Sequence, residues 1–198
     1  MTDTVSIPLA KRRDEILAEL AQAASPPPCL VAVSKTQPDE KIDAMLAAGQ
    51  RVFGENRVQE AQAHWAERRA LHPDLELRLI GPLQTNKAED AVALFDVIET
   101  LDRDKLARAL AKAVEKAGRA PRIFIQVNTG EEPQKAGVMP DGLADLLKVA
   151  VGECGLDVQG LMCIPPVDEP AGPHFALLAK LARRHGLKGL SMGMSGDY

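Results

Sequence analysis

Short apolar runs alternate with helical patterns along the chain. Residues 8–24 place Leu9, Ile16, Leu17, Leu20, Ala21 and Ala24 at helical spacing, so one face is apolar. Ser25-Pro26-Pro27-Pro28 ends that helix. The pattern predicts a leading helix packed on the outside of the main body of the chain. Residues 1–28 then form an appendage of helix and proline-rich turn, and 29–198 form a single domain.

After the prolines comes Leu30-Val31-Ala32-Val33. Comparable runs begin at 52, 75, 95, 123, 158 and 189. Each is short and rich in branched residues, as buried parallel strands are. The clearest helical pattern between them is 103–117, with Leu106, Leu110, Ala113, Val114 and Ala117 on one face. Asp102 is placed to cap its start and Gly118 to end it.

Strands alternating with helices argue for a parallel α/β sheet, either doubly wound or closed into a (β/α)₈ barrel. A doubly wound dinucleotide fold would carry G-x-G-x-x-G after its first strand. Here Ser34-Lys35-Thr36 follows, with no glycine until Gly49. The barrel is the expectation. Its unit averages roughly 30 residues, so the seven runs stand one unit, roughly 25–30 residues, short of eight.

Composition changes the picture in three places. Aromatic residues are 3% of the 198, so the core must come from Leu, Val, Ile, Ala and Met. The same scarcity argues against the stacking platforms that hold single-stranded nucleic acid. The net charge of −4 argues against a duplex-binding surface. Cys29, Cys154 and Cys163 are odd in number and widely spaced, which predicts reduced thiols. The four histidines show no metal-ligand spacing and are expected at surfaces or helix ends. No apolar run has the length of a membrane span, and charges at Lys11 to Glu15 interrupt any secretory leader. A cytoplasmic location is the expectation.

In a (β/α)₈ barrel the chemistry sits where strands finish. Lys35 directly follows the first strand. An amine held in the barrel mouth is partly desolvated, which lowers its pKa and makes it a nucleophile toward carbonyls. The other reading, a lysine that snorkels to the rim, is the commoner one from position alone. The loop Ser191-Met192-Gly193-Met194-Ser195-Gly196 can turn backbone N–H groups and hydroxyls toward one anion. Phosphate sites in such barrels lie after strands seven and eight. A lysine and an anion loop at one mouth suggest a phosphorylated carbonyl compound. Pyridoxal 5′-phosphate (PLP) or a sugar phosphate would meet that description.

Five motifs carry a family resemblance. Ala32-Val33-Ser34-Lys35-Thr36, Phe53-Gly54-Glu55-Asn56, Ile80 to Lys87, Gly160-Leu161-Met162 and Ser191 to Ser195 resemble, in order, the signatures of the YggS/PROSC family of PLP homeostasis proteins. The resemblance implies a single barrel like the N-terminal domain of alanine racemase. It implies that Lys35 carries PLP as a Schiff base, with Asn56 and Met162 beside the ring. It also implies that Ser191, Met192, Gly193 and Ser195 hold the phosphate. Lys135 is placed near the mouth by the same comparison. Family members bind, store and deliver PLP, with PLP-dependent apo-enzymes as the recipients, and act as monomers without robust catalysis. The family continues past the segment matching Gly196-Asp197-Tyr198 into a helix and a last strand with an Arg-x-Gly-Thr motif, which this sequence lacks. A racemase is the alternative. Racemisation needs a base on each face of the cofactor, and the one tyrosine is Tyr198. A sugar-phosphate aldolase would need a further acid/base pair, which the strand ends do not display. The sequence leans toward binding.

Overall fold

The computed structural model describes residues 9–197. Tyr198, the residue a racemase reading would invoke, lies outside them. Helix α1 (Leu9–Ala23) comes first, followed by strand β1 (Ala32–Val33). Six further strands follow: β2 (Val52–Glu55), β3 (Glu76–Leu79), β4 (Val97–Leu101), β5 (Arg122–Gln126), β6 (Val158–Met162) and β7 (Gly189–Ser191). The connecting helices are α2 (Asp39–Ala47), α3 (Val58–Leu71), α4 (Ala88–Leu94), α5 (Asp104–Ala117), α6 (Leu143–Leu147) and α7 (Ala171–Arg184). Short 3₁₀ turns precede α4 and α6, and α6 runs on into a π-helical turn at Lys148–Glu153.

All seven strands are parallel and lie in the order β1-β2-β3-β4-β5-β6-β7. Strand order equals chain order, so there is no reversal point of the kind a doubly wound sheet requires. The sheet is curled. Ser191 Oγ on β7 lies 2.6 Å from Glu99 Oε2 on β4. Three strand spacings in a flat sheet would separate them by about 14 Å. The architecture is a (β/α)₈-type barrel with seven strands described. Among the described residues β1 and β7 remain unpaired with each other, so Val33 and Leu190 are exposed.

The core fills the space between sheet and helices. Leu77, Leu79, Ile98, Ile123, Ile125 and Leu161 point outward from the strands onto Leu106, Leu110, Leu178 and other helix residues. Aliphatic side chains dominate, as the composition requires. Yet the largest fully buried side chains are aromatic: Trp65, Phe53 and Phe95. Phe53 on β2 packs on Trp65 of α3 with ring centroids 4.6 Å apart. Helix α1 buries no side chain completely and leans on α2, and its Arg13 Nε donates at 3.1 Å to Gln50 Oε1 on the segment between α2 and β2.

Several local expectations are corrected. Gly118 ends α5 in the left-handed conformation at φ 63°, as expected. Asp102 does not cap its start. The residue before the helix is Arg103, and Asp102 instead accepts from Arg103 Nη1. Glu99 and Thr100, the polar pair that follows the apolar run from residue 95, lie within β4 and are buried. His72 and His185 stand at helix C-termini. His174 is buried beside Glu169, and His64 faces a buried carboxylate. The three thiols are free, as expected.

Candidate functional site

Side chains alternate across a strand, so Val31 and Val33 face the barrel lumen while Ala32 and Ser34 face the helices. Ser34 is buried, donating from Oγ to Glu55 Oε1 at 2.7 Å. Its backbone N–H continues the sheet to Gly54 O at 3.0 Å. The chain then turns at once. Gln37 N–H bonds Ser34 O at 3.1 Å, leaving Lys35 and Thr36 as the central pair of a tight turn. Lys35 is therefore exposed, and the partial desolvation expected from its position is not found. The turn lifts it to the rim.

Asn56 follows β2 and is half-buried. Its backbone packs on Gly81. A Cβ at residue 81 would lie 2.3 Å from Asn56 O, so only glycine permits the approach. Register pairs Val33 with Gly54, Glu55 with Leu79, and Leu79 with Ile98. One residue past the last three, Asn56, Ile80 and Glu99 fall in one row, and Lys35, two residues past Val33, stands beside that row on the turn.

Across the lumen, Met162 ends β6 and is buried against Val97 and Phe124. Ser191 ends β7. Its hydroxyl donates to Glu99, which also accepts from Arg78 Nη1 at 2.9 Å. Arg78 continues to Glu76 at 2.6 Å, and Glu76 to Arg122 at 2.5 Å. The register of β4 on β5 shifts between Ile98 and Leu101, the kind of irregularity that re-aims a side chain. Glu99 turns into the lumen, while Thr100 Oγ1 donates to Gly81 O at 2.8 Å. Burial works against the charge on Arg78, but its bonds to Glu99 and Glu76 outweigh that and hold its pKa above the ordinary guanidinium value.

Met192, Gly193 and Ser195 are exposed on the loop after β7. Gly193 has φ 94°, and Asp197 Oδ1 accepts from Met194 N–H, folding the loop on itself. Among the described residues the amides of Gly193 and Ser195 make no hydrogen bond. The structure thus brings all seven candidate residues to the C-terminal ends of the strands, with Lys35 and Asn56 on one side and Met162 and the Ser191 loop on the other. Lys135 is tied to Glu132 at 2.6 Å and Lys87 to Asp90 at 3.2 Å.

The strand-end motifs do not reveal the lumen chain of Arg78 and Glu99, nor a cluster behind Lys35. There Glu55 Oε1 also accepts from Trp65 Nε1 at 3.0 Å and meets His64 Nδ1 at 2.9 Å. Glu60 joins this group. Glu55 is fully buried, and its Oε2 has no hydrogen-bond partner.

Cys163, next to Met162, is buried on the helix side. Burial pushes its thiol up to about 11. At pH 8 roughly one molecule in a thousand carries the thiolate there, since each unit is a factor of ten. Native alkylation followed by peptide mapping is expected to label exposed Cys29 first and Cys163 last. Labelling of Cys163 as fast as Cys29 would mean that β6 opens readily.

Residues 14–196 match the family model described as alanine racemase, N-terminal domain. Solved alanine racemases share this fold. That of Clostridium difficile 630 superposes with a TM-score of 0.65 at 13% identity, over 93% of this chain and 52% of the enzyme. PipY of Synechococcus elongatus PCC7942, solved without PLP, gives 0.79 at 37% identity over 96% of this chain and 90% of that one. It has also been solved with PLP bound, with a TM-score of 0.78, again at 37% identity, over 95% and 90% of the two chains. The pyridoxal phosphate homeostasis protein of Vibrio cholerae is 41% identical over 181 residues, 85% of this chain and 75% of that protein. The one of Pseudomonas aeruginosa is 40% identical over 190 residues, 91% and 81% of the two chains. The chain is a barrel of the alanine racemase N-terminal domain family. Within it, the chain belongs to the pyridoxal phosphate homeostasis proteins, the YggS/PROSC family.

Proposed function

We propose that this chain binds PLP reversibly at the barrel mouth, through a Schiff base on Lys35, and serves intracellular PLP homeostasis. The observation that carries the reading is the placing of an exposed primary amine on the turn after β1, at the mouth that also presents a loop of unused amides. PLP supplies an aldehyde and a phosphate on one rigid ring. The residues present suit both ends. Lys35 offers the amine, and Gly193 and Ser195 offer N–H groups with the Ser195 hydroxyl. Asn56 and Met162, at the ends of β2 and β6, would flank the ring. Ser191 takes a positioning part, since its hydroxyl is already given to Glu99.

The unprotonated Lys35 amine condenses with an aldehyde with loss of one water. Hydrolysis reverses that bond, and an exposed lysine leaves water free to do so. The exposure favours capture and release over carbanion chemistry, which needs a closed site. On this reading the protein is a cytoplasmic monomer that hands PLP to PLP-dependent apo-enzymes. Among the described residues no helix is long and apolar enough to cross a membrane, which is compatible with that location.

The test is incubation of the protein with PLP, borohydride reduction and peptide mapping. One adduct on Lys35 is expected. No adduct, or one on another lysine, overturns the assignment. Sustained racemisation of an amino acid would replace the carrier reading with the enzymatic one.

A further inference from the structure

Thr36 is a β-branched residue with a positive φ, 58°. It stands in the third position of the Ser34–Gln37 turn, where turns with a left-handed residue take glycine or asparagine. For a branched side chain that conformation is a true outlier, and it persists only where the surroundings enforce it. The enforcement is visible. The Thr36 N–H donates to the Glu60 carboxylate, which projects from the first turn of α3. On the other side of Lys35, Ser34 is fixed by Glu55 and by the sheet. Lys35 therefore sits between two residues each held by a carboxylate, and neither carboxylate is on its own strand.

We propose that Glu60 is a positioning residue for Lys35. By holding Thr36 left-handed, it keeps the turn that presents the lysine amine at the mouth. Without it the Thr36 backbone relaxes to negative φ, the turn opens, and the amine is presented over a wider range of directions. The proposal rests on the reading of Lys35 as the PLP-bearing residue. Its core claim, that Glu60 holds the turn, can be measured without PLP.

The experiment compares the wild type with Glu60→Ala, Glu60→Gln, Thr36→Gly and the double variant Glu60→Ala/Thr36→Gly. In PLP-free protein, hydrogen exchange of the Thr36 amide is expected to accelerate in Glu60→Ala and to stay slow in Glu60→Gln, whose amide oxygen still accepts. With PLP, the apparent affinity of Glu60→Ala should fall by roughly tenfold, the scale of one released left-handed residue. Glycine adopts that conformation without penalty, so Thr36→Gly in the Glu60→Ala background should recover affinity to within about twofold of the wild type. A merely structural role for Glu60 would not be relieved by a change at residue 36. Unchanged exchange and affinity in Glu60→Ala overturn the proposal, and so does a loss that Thr36→Gly leaves in place. If Glu60→Ala does not fold, Glu60→Asp, which is too short to reach the amide, gives the same comparison. If the wild type forms no adduct on Lys35, the PLP reading falls, and amide exchange still decides whether Glu60 holds the turn.

Discussion

Lys35→Ala is expected to reduce borohydride-stable labelling by PLP to background while leaving the protein folded. The two halves of this expectation have separate grounds. Lys35 is exposed and takes part in no ion pair or hydrogen bond among the described residues, so its removal should change stability by no more than about 0.5 kcal/mol. The turn bond from Gln37 to Ser34 is between backbone atoms and survives. The neighbouring amines are engaged, Lys87 and Lys135 in ion pairs with Asp90 and Glu132 and Lys41 donating to Gln37 Oε1 at 3.0 Å, so none is expected to take over capture. Weak, rapidly reversible binding through the phosphate end should remain. Adduct persisting at another lysine in Lys35→Ala would show that the mouth selects its amine by proximity alone.

The second large effect concerns stability. Arg78→Ala should cost about 3–5 kcal/mol, because it leaves Glu99 as a buried charge without its counter-ion. Glu99 is 1% exposed and would keep only the Ser191 hydroxyl. Glu76 would lose one of its two arginines. The Arg78 side chain keeps 13% of its exposure, which points to the lower end of the range. Urea unfolding of Arg78→Ala measures it. The double variant Arg78→Met/Glu99→Leu should recover most of the loss, since replacing both members removes the stranded charge. A loss below about 1 kcal/mol in the single variant would mean that solvent screens the pair throughout.

The strands were legible because buried parallel strands read as short apolar runs, and all seven runs are strands. Their ends were less so. Glu99 and Thr100 are polar and break the apolar run, yet burial along all of β4 keeps them in the sheet. The lumen charges had a signal of their own in the sequence. In Leu75-Glu76-Leu77-Arg78-Leu79 the polar residues alternate strictly, which on a strand covered by helices puts the charges inside the barrel. Asp102 resembled a helix cap, but Arg103 claims its carboxylate. At the site, Lys35 was legible from its place after a strand. Its exposure was not, because that depends on the turn. The left-handed residue of that turn is normally announced by glycine, and here it is a threonine held by a carboxylate 24 residues away. His64 and Glu55 were illegible for the same reason, since their pairing is made by the packing of α3 on β2.

The site hangs from two independent supports. The turn that carries Lys35 is held from outside the barrel, through Ser34 and Thr36, by carboxylates on β2 and α3. Ser191 is held from inside, by a chain of charges on β3, β4 and β5 that has no described member on β1 or β2. A molecule with an aldehyde at one end and a phosphate at the other would bridge them like a spar between two masts. Damage to the outer support should then slow capture, and damage to the inner one should hasten escape, so the association and dissociation rates of such a ligand can drift apart by mutations that never touch it.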